Sequence, residues 1–111
     1  MEKDTVTENI LQELRRGAIV LAVLGLLQEE KYGYAILKDL SSSGLEVDQG
    51  TLYPLLRRLE TQGLLESRWK LEEARPRRYY VISPLGKATL PPLAAEMRKI
   101  AKIVETILGA A

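Results

Sequence analysis

Between residues 49 and 82 the apolar period of this 111-residue chain changes from that of a helix to that of a strand, which sharply limits the folds open to it. Leu52, Leu55, Leu56 and Leu59 fall at i, i+3, i+4 and i+7, one stripe of an amphipathic helix. Asp48 has the chemistry to cap that helix, and Gly63 is a natural stop. Pro54, a turn inside, is expected to tighten or kink it. From Leu64 the period is two. Leu65, Ser67, Trp69 and Leu71 alternate with Glu66, Arg68, Lys70 and Glu72. Arg78, Tyr80 and Ile82 alternate with Arg77, Tyr79 and Val81 after the turn-like segment 72–76. Two extended runs around a short polar loop predict a hairpin.

The flanking segments are helical. Val6, Ile10, Leu11 and Leu14 form a stripe, with Thr5 or Thr7 as its cap and Glu8 as capping-box partner of Thr5. Gly17 either bends this helix or passes through it. Ile19, Val20, Val23, Leu24 and Leu27 predict a core helix, and 29–31 a loop. Ala35, Ile36 and Leu40 predict a short helix over 32–40, ended by Ser41-Ser42-Ser43-Gly44. Leu45-Glu46-Val47 is a possible short strand. Ser83-Pro84 is a helix start, Ser as cap and Pro at the first position. Leu93, Met97, Ile100, Val104 and Ile107 then make a coiled-coil-like seam. Pro91-Pro92 predict a break near Leu90.

The expected fold is therefore mainly α with a small β-hairpin wing: one domain over 1–111. It comprises N-terminal helix or helices at 5–28, a winged helix-turn-helix at 29–82 and a C-terminal dimerisation helix at 83–111. In such a domain the helix after the turn lies in the DNA major groove. Its polar row holds Gln49, Tyr53, Arg57 and Glu60, with Gly50, Pro54 and Arg58 beside it; Gln and Arg read adenine and guanine edges. A solvated face explains the same row equally simply. The wing region 68–78 holds Arg68, Lys70, Arg75, Arg77 and Arg78 against Glu72 and Glu73. It suits phosphate or minor-groove contact, or else a charged edge that resists aggregation.

Composition excludes several chemistries. The chain has no His and no Cys. Disulfides, thiol switches, zinc sites and imidazole bases are out, and only a carboxylate-only Mg or Ca site remains open. No metal or other cofactor is expected. Ser41-Ser42-Ser43 with Lys38 reads as a helix-ending loop rather than a nucleophile, so no catalytic residue is expected. The most apolar stretch, 17–27, is eleven residues long, against roughly 20 for a membrane span. Four acids precede it, unlike a signal peptide, so a cytoplasmic location is expected. The net charge of +1 conceals a balance of −4 over 1–48, +4 over 49–88 and +1 over 89–111. The positive segment coincides with the recognition helix and wing.

Five blocks resemble the PadR family of winged-helix transcriptional regulators. They are Tyr32-Gly33-Tyr34-Ala35-Ile36, the run from Gly50 to Glu60, the run from Gly63 to Trp69, Arg75-Pro76-Arg77-Arg78-Tyr79-Tyr80, and Ser83-Pro84-Leu85-Gly86. Their order and spacing are the family's, in its short form without a long C-terminal domain. The resemblance implies a homodimer joined through the terminal helices. It implies a repressor of palindromic operators that a small molecule or another signal releases. It implies DNA contacts from Tyr32, Gln49, Gly50, Thr51, Tyr53, Arg57 and Arg58, and from the wing residues Arg75, Arg77 and Arg78. Tyr34, Trp69 and Tyr80 are expected to pack in the core or wing. The dimer seam is Val6, Ile10 and Leu14 with Leu93, Met97, Ile100, Val104 and Ile107. Met97 stands where drug-binding members often carry an aromatic, which disfavours a stacked flat drug but leaves room for a small apolar effector at the interface. The competing reading is a winged-helix protein-interaction module that does not bind DNA, motivated by the low net charge and acidic first half.

Overall fold

The structure, a computed structural model, describes residues 2–109. Helix α1 (Glu2–Leu26) is followed by β1 (Lys31–Tyr32), α2 (Gly33–Ser42), α3 (Gln49–Thr61), β2 (Leu65–Glu72), β3 (Arg75–Ile82) and α4 (Pro84–Ile107). The strands form one antiparallel sheet in the order β1-β3-β2. This is a winged helix-turn-helix carrying a long helix at each end.

The leucine stripes converge on one core. Val23, Leu24 and Leu27 of the first helical segment meet Ile36 and Leu40 of α2, Leu52, Leu56 and Leu59 of α3, and Leu65, Tyr80 and Ile82 of the sheet. Each fully buried Leu or Ile contributes about 1.5–3 kcal/mol. Two backbone bonds close the sheet onto this core: Ile82 N–H to the Leu27 carbonyl at 2.8 Å, and Ser83 N–H to the Leu64 carbonyl at 3.0 Å.

The expected caps at the recognition helix and after the wing are present. Asp48 Oδ1 accepts from the Thr51 N–H at 2.8 Å, and Ser83 Oγ from the Gly86 N–H at 3.0 Å. Helices α2 and α3 end alike. Gly44 (φ 103°) and Gly63 (φ 85°) turn left-handed, and Leu45 and Leu64 N–H reach back to the Leu40 and Leu59 carbonyls at 2.8 and 2.9 Å. Only glycine enters that region without a steric cost. The hairpin turn narrows to Glu73 and Ala74, with φ of 50° and 65°. A left-handed backbone conformation at both centres is what a two-residue hairpin loop needs to match the right-handed twist of its strands.

Four local expectations are corrected. Thr5 and Thr7 lie inside α1, which begins at Glu2 and runs through Gly17 unbroken. Leu45-Glu46-Val47 is not a strand. Leu45 and Val47 pack against the core from the loop after α2, which satisfies their alternation without a ladder. The extra strand is Lys31–Tyr32, inside the expected loop and helix start, and it exists because Tyr79 and Tyr80 offer a free edge. Finally, Pro91 and Pro92 do not break α4. Each forgoes one backbone bond, to the Lys87 and Ala88 carbonyls by helical geometry, and all four residues face solvent, where water can replace the donor. Pro54 likewise sits inside an unbroken α3.

The outer half of α1 and most of α4 extend beyond the core, and the longest dimension is 55 Å. The two helices pack against each other, yet Val6, Ile10, Leu14, Leu93, Met97, Ile100, Val104 and Ile107 all remain exposed. Among the described residues no helix is long and apolar enough to cross a membrane, and no acidic cluster could hold a metal ion.

Candidate nucleic-acid interface

Burying Leu52, Leu56 and Leu59 fixes the rotation of α3 about its axis. Tyr53 and Arg57 then face the wing, whereas Thr51, Pro54 and Arg58 face α1. The ten residues expected to contact DNA are accordingly divided. Tyr32, Tyr53, Arg57, Arg75, Arg77 and Arg78 line one groove of about 600 Å³ between the start of α2, α3 and the hairpin. Thr51 and Arg58 instead line a cleft of about 280 Å³ with Arg15 and Arg16 of α1. Gln49 and Gly50 sit exposed at the first turn of α3, outside both.

The groove is aromatic as well as basic. Four of the five tyrosines and the one tryptophan line it, so its walls present ring faces beside guanidinium groups. Tyr80 is buried, as expected. Tyr34 and Trp69 are not: they are 54% and 63% exposed. Trp69 projects from the outer part of β2, beyond the reach of the α3 leucines that cover Leu65.

Charge is more confined than the sequence implied. Of the five basic wing residues, four stand within 4.0 Å of a carboxylate. Arg68 and Lys70 each reach Glu30 at 2.7 Å. Hydrogen bonds from Arg68 and then Lys70 hold the Glu30 carboxyl down to about 2. Arg78 is held by Glu60 at 3.0 Å and donates to Ser67 Oγ at 3.1 Å. Arg77 lies 3.9 Å from Glu72 and stacks over the Tyr32 ring, 4.6 Å from its centre. Arg75 at the hairpin tip and Arg57 and Arg58 on α3 form no ion pair among the described residues. They carry the uncompensated charge.

The aromatic floor of the wing is itself braced. Tyr79 donates to Glu72 at 2.6 Å, and this bond pushes its phenol up. Tyr32 packs on Tyr79 with ring centres 5.5 Å apart, and Lys70 sits over Tyr79 at 4.3 Å. Burial is the main cause that raises the Tyr80 phenol. Tyr32 is thus tied to the sheet through β1 and through its ring, which presents it to the groove.

Two participants escaped sequence reasoning. Glu30 falls in the segment expected to be a loop, and its only signal in the sequence is that Arg68 and Lys70, two apart on a strand and hence on one side, call for an acidic partner. Glu60 shares the wing-facing row of Tyr53 and Arg57, but its carboxylate is taken up within the protein, accepting from Ser67 at 2.6 Å and from Arg78. Arg78 is correspondingly a paired cation, joined to Glu60 and Ser67. The Ser41-Ser42-Ser43 patch closes α2: Ser43 Oγ donates to the Asp39 carbonyl and Ser41 Oγ to Glu46.

Residues 20–91 match the sequence profile of the Transcriptional regulator PadR-like family. The transcriptional regulator Rv3488 of Mycobacterium tuberculosis is 35% identical over 100 residues, covering 89% of this chain and 91% of its own. The crystal structure of a PadR family transcriptional regulator from Eggerthella lenta superposes with a TM-score of 0.90 at 40% identity, covering 97% of this chain and 96% of that one. A PadR family regulator from Clostridium difficile gives a TM-score of 0.72 at 28% identity, covering 81% and 97%.

Proposed function

This chain belongs to the PadR-like family of transcriptional regulators, and from that membership we propose that it works as a homodimeric repressor, binding an inverted-repeat operator through the α3–wing groove. The observation that carries the reading is the pairing of free positive charge with a shaped groove. Arg57 and Arg75 sit at the helix and wing sides of one concave, aromatic-walled surface. Recognition-helix residues from Gln49 onward enter the major groove, and the wing tip follows the phosphate backbone. Thr51 and Arg58 contact the backbone from the α1 side of the helix.

Dimerisation sets the spacing of half-sites. The exposed stripe from Leu93 to Ile107, with Val6, Ile10 and Leu14, is larger than a lone domain leaves to water. Two copies covering it would hold two recognition helices about one helical turn of DNA apart. A small apolar effector would bind at this seam, where Met97 adapts to its shape, and would release the operator by altering that spacing. A location in the cytoplasm follows from this role.

The test is binding of the purified protein to the DNA upstream of its own gene, across a range of salt. We expect a complex on a short inverted repeat, weakening steeply as salt rises. No complex there or on genomic fragments at low salt would overturn the reading. Protein partners retained from lysate after nuclease treatment would then favour the protein-interaction module.

A further inference from the structure

Glu60, Ser67 and Arg78 close a ring across three elements. Ser67 Oγ on β2 donates to Glu60 Oε2 on α3 at 2.6 Å. Arg78 on β3 donates through Nη2 to Glu60 Oε1 at 3.0 Å and through Nε to Ser67 Oγ at 3.1 Å. Both carboxylate oxygens are engaged, and two nitrogens of a planar guanidinium are fixed, so its plane is fixed as well. Its Cζ lies 5.7 Å from the Trp69 ring centre and 5.6 Å from that of Tyr80. Apart from these bonds, little joins the outer hairpin to the recognition helix. Leu65 near its base is buried, whereas Trp69 and Leu71 beyond are exposed.

The geometry points to Glu60 as a positioning residue: through Ser67 and Arg78 it locks the wing at a set angle to the recognition helix, and Arg78 serves that lock instead of contacting phosphate. The inference rests on the reading that the α3–wing groove receives DNA. The reason is electrostatic. A guanidinium already joined to a carboxylate is a neutral unit and displaces no counterion from DNA. Free cations do, each steepening the dependence of log K on log salt by about 0.9. The lock therefore governs affinity through shape, because one rigid wing angle lets Arg75 and the α3 face engage together.

Two variants separate the roles. Glu60→Gln with Arg78→Gln removes the charge pair as a unit, and Arg78→Lys keeps the charge but cannot make the two-nitrogen contact. In an Arg75→Ala background, where the contact that the lock serves is already gone, the lock predicts that the double variant leaves the salt slope unchanged. It predicts that Arg78→Lys loses about tenfold in affinity, in line with losing a charged hydrogen bond. A phosphate contact predicts the opposite: a slope shallower by about one in the double variant and near-wild-type affinity for Arg78→Lys. Either of these would overturn the proposal. A second readout needs no DNA. Trp69 is the sole tryptophan, so its emission in the free dimer reports where the Arg78 guanidinium sits. Glu60→Gln and Arg78→Lys should each shift it, and the shifts should not add. Unchanged emission would refute the lock. Wild-type protein that binds no DNA, together with Glu60→Gln, Arg78→Lys and combined variants whose Trp69 shifts are non-additive, would refute the groove reading and leave the lock standing.

Discussion

The ring of Tyr53 lies directly over the backbone of Gly33. A Cβ built at position 33 would sit 2.8 Å from Tyr53 Cε1 and 3.2 Å from its hydroxyl. Side-chain loss at one position thus lets a recognition-helix aromatic pack on the start of α2, and the contact shapes the floor of the groove.

Gly33→Ala is therefore expected to push the Tyr53 ring outward. The ring is the far end of a half-buried side chain and can move, so the stability loss should stay below about 1 kcal/mol, well under that of an overpacked core. Operator affinity should fall further than stability does. In a Tyr53→Ala background the same change should have almost no added effect. Anisotropy titrations of the four proteins, with thermal melts alongside, check this; additive losses would show that Gly33 acts independently of Tyr53.

Arg75 stands at the hairpin tip with no ion pair among the described residues. Arg75→Ala should weaken binding to all sequences alike and flatten the salt slope by about one. Lys102→Ala, an equally exposed cation on α4, should leave the slope unchanged. The measurement is log Kd against log salt on operator and on unrelated DNA.

Glu30 ties the outer side of the wing to the loop before β1. Its ordinary value is 4.5 and its folded value about 2, so between these the unfolded chain binds more protons. The stabilisation it supplies is complete above about pH 4.5 and is lost as pH falls toward 2. Melting temperature should accordingly drop over that window, and Glu30→Gln should show a shallower drop. Because the Glu30–Arg68–Lys70 cluster is only partly shielded from water, the effect should be modest and should shrink in high salt.

Ile107→Asp and Leu14→Asp place charge on the exposed stripe, at residues that no core packing holds. Each variant should keep its fold while the dimer dissociates at micromolar concentration, read by sedimentation. Binding to a full inverted repeat should fall to that of a half-site. Wild-type protein sedimenting as a monomer would remove the dimer from the proposal.

Much of the fold was legible because its signals are local. The α3 stripe, the Asp48 and Ser83 caps, the Gly63 stop and the alternation of β2 and β3 each depend on residues a few positions apart. The misreadings arose where a distant partner overrode local chemistry. Lys31 and Tyr32 became a strand only because Tyr79 and Tyr80 stand beside them. Leu45 and Val47 alternate like a strand but meet the core and no neighbouring strand. Pro91 and Pro92 were expected to break a helix, yet they fall on its solvent side.

Local residue patterns made this chain a winged helix-turn-helix with helical extensions and gathered positive charge in its central segment. Periodicity, capping and composition act over one turn or one strand, and they are set before the chain packs. Which of those charges remain free depended on long-range packing. Glu30 and Arg68 are 38 residues apart and Glu60 and Arg78 are 18; their pairing required α3 and the loop before β1 to be packed against the sheet. Ion pairs form at a few ångströms, a distance that sequence separation does not encode. The packing of a dozen buried apolar side chains thereby left Arg57, Arg58 and Arg75 as the uncompensated cations of the recognition helix and wing.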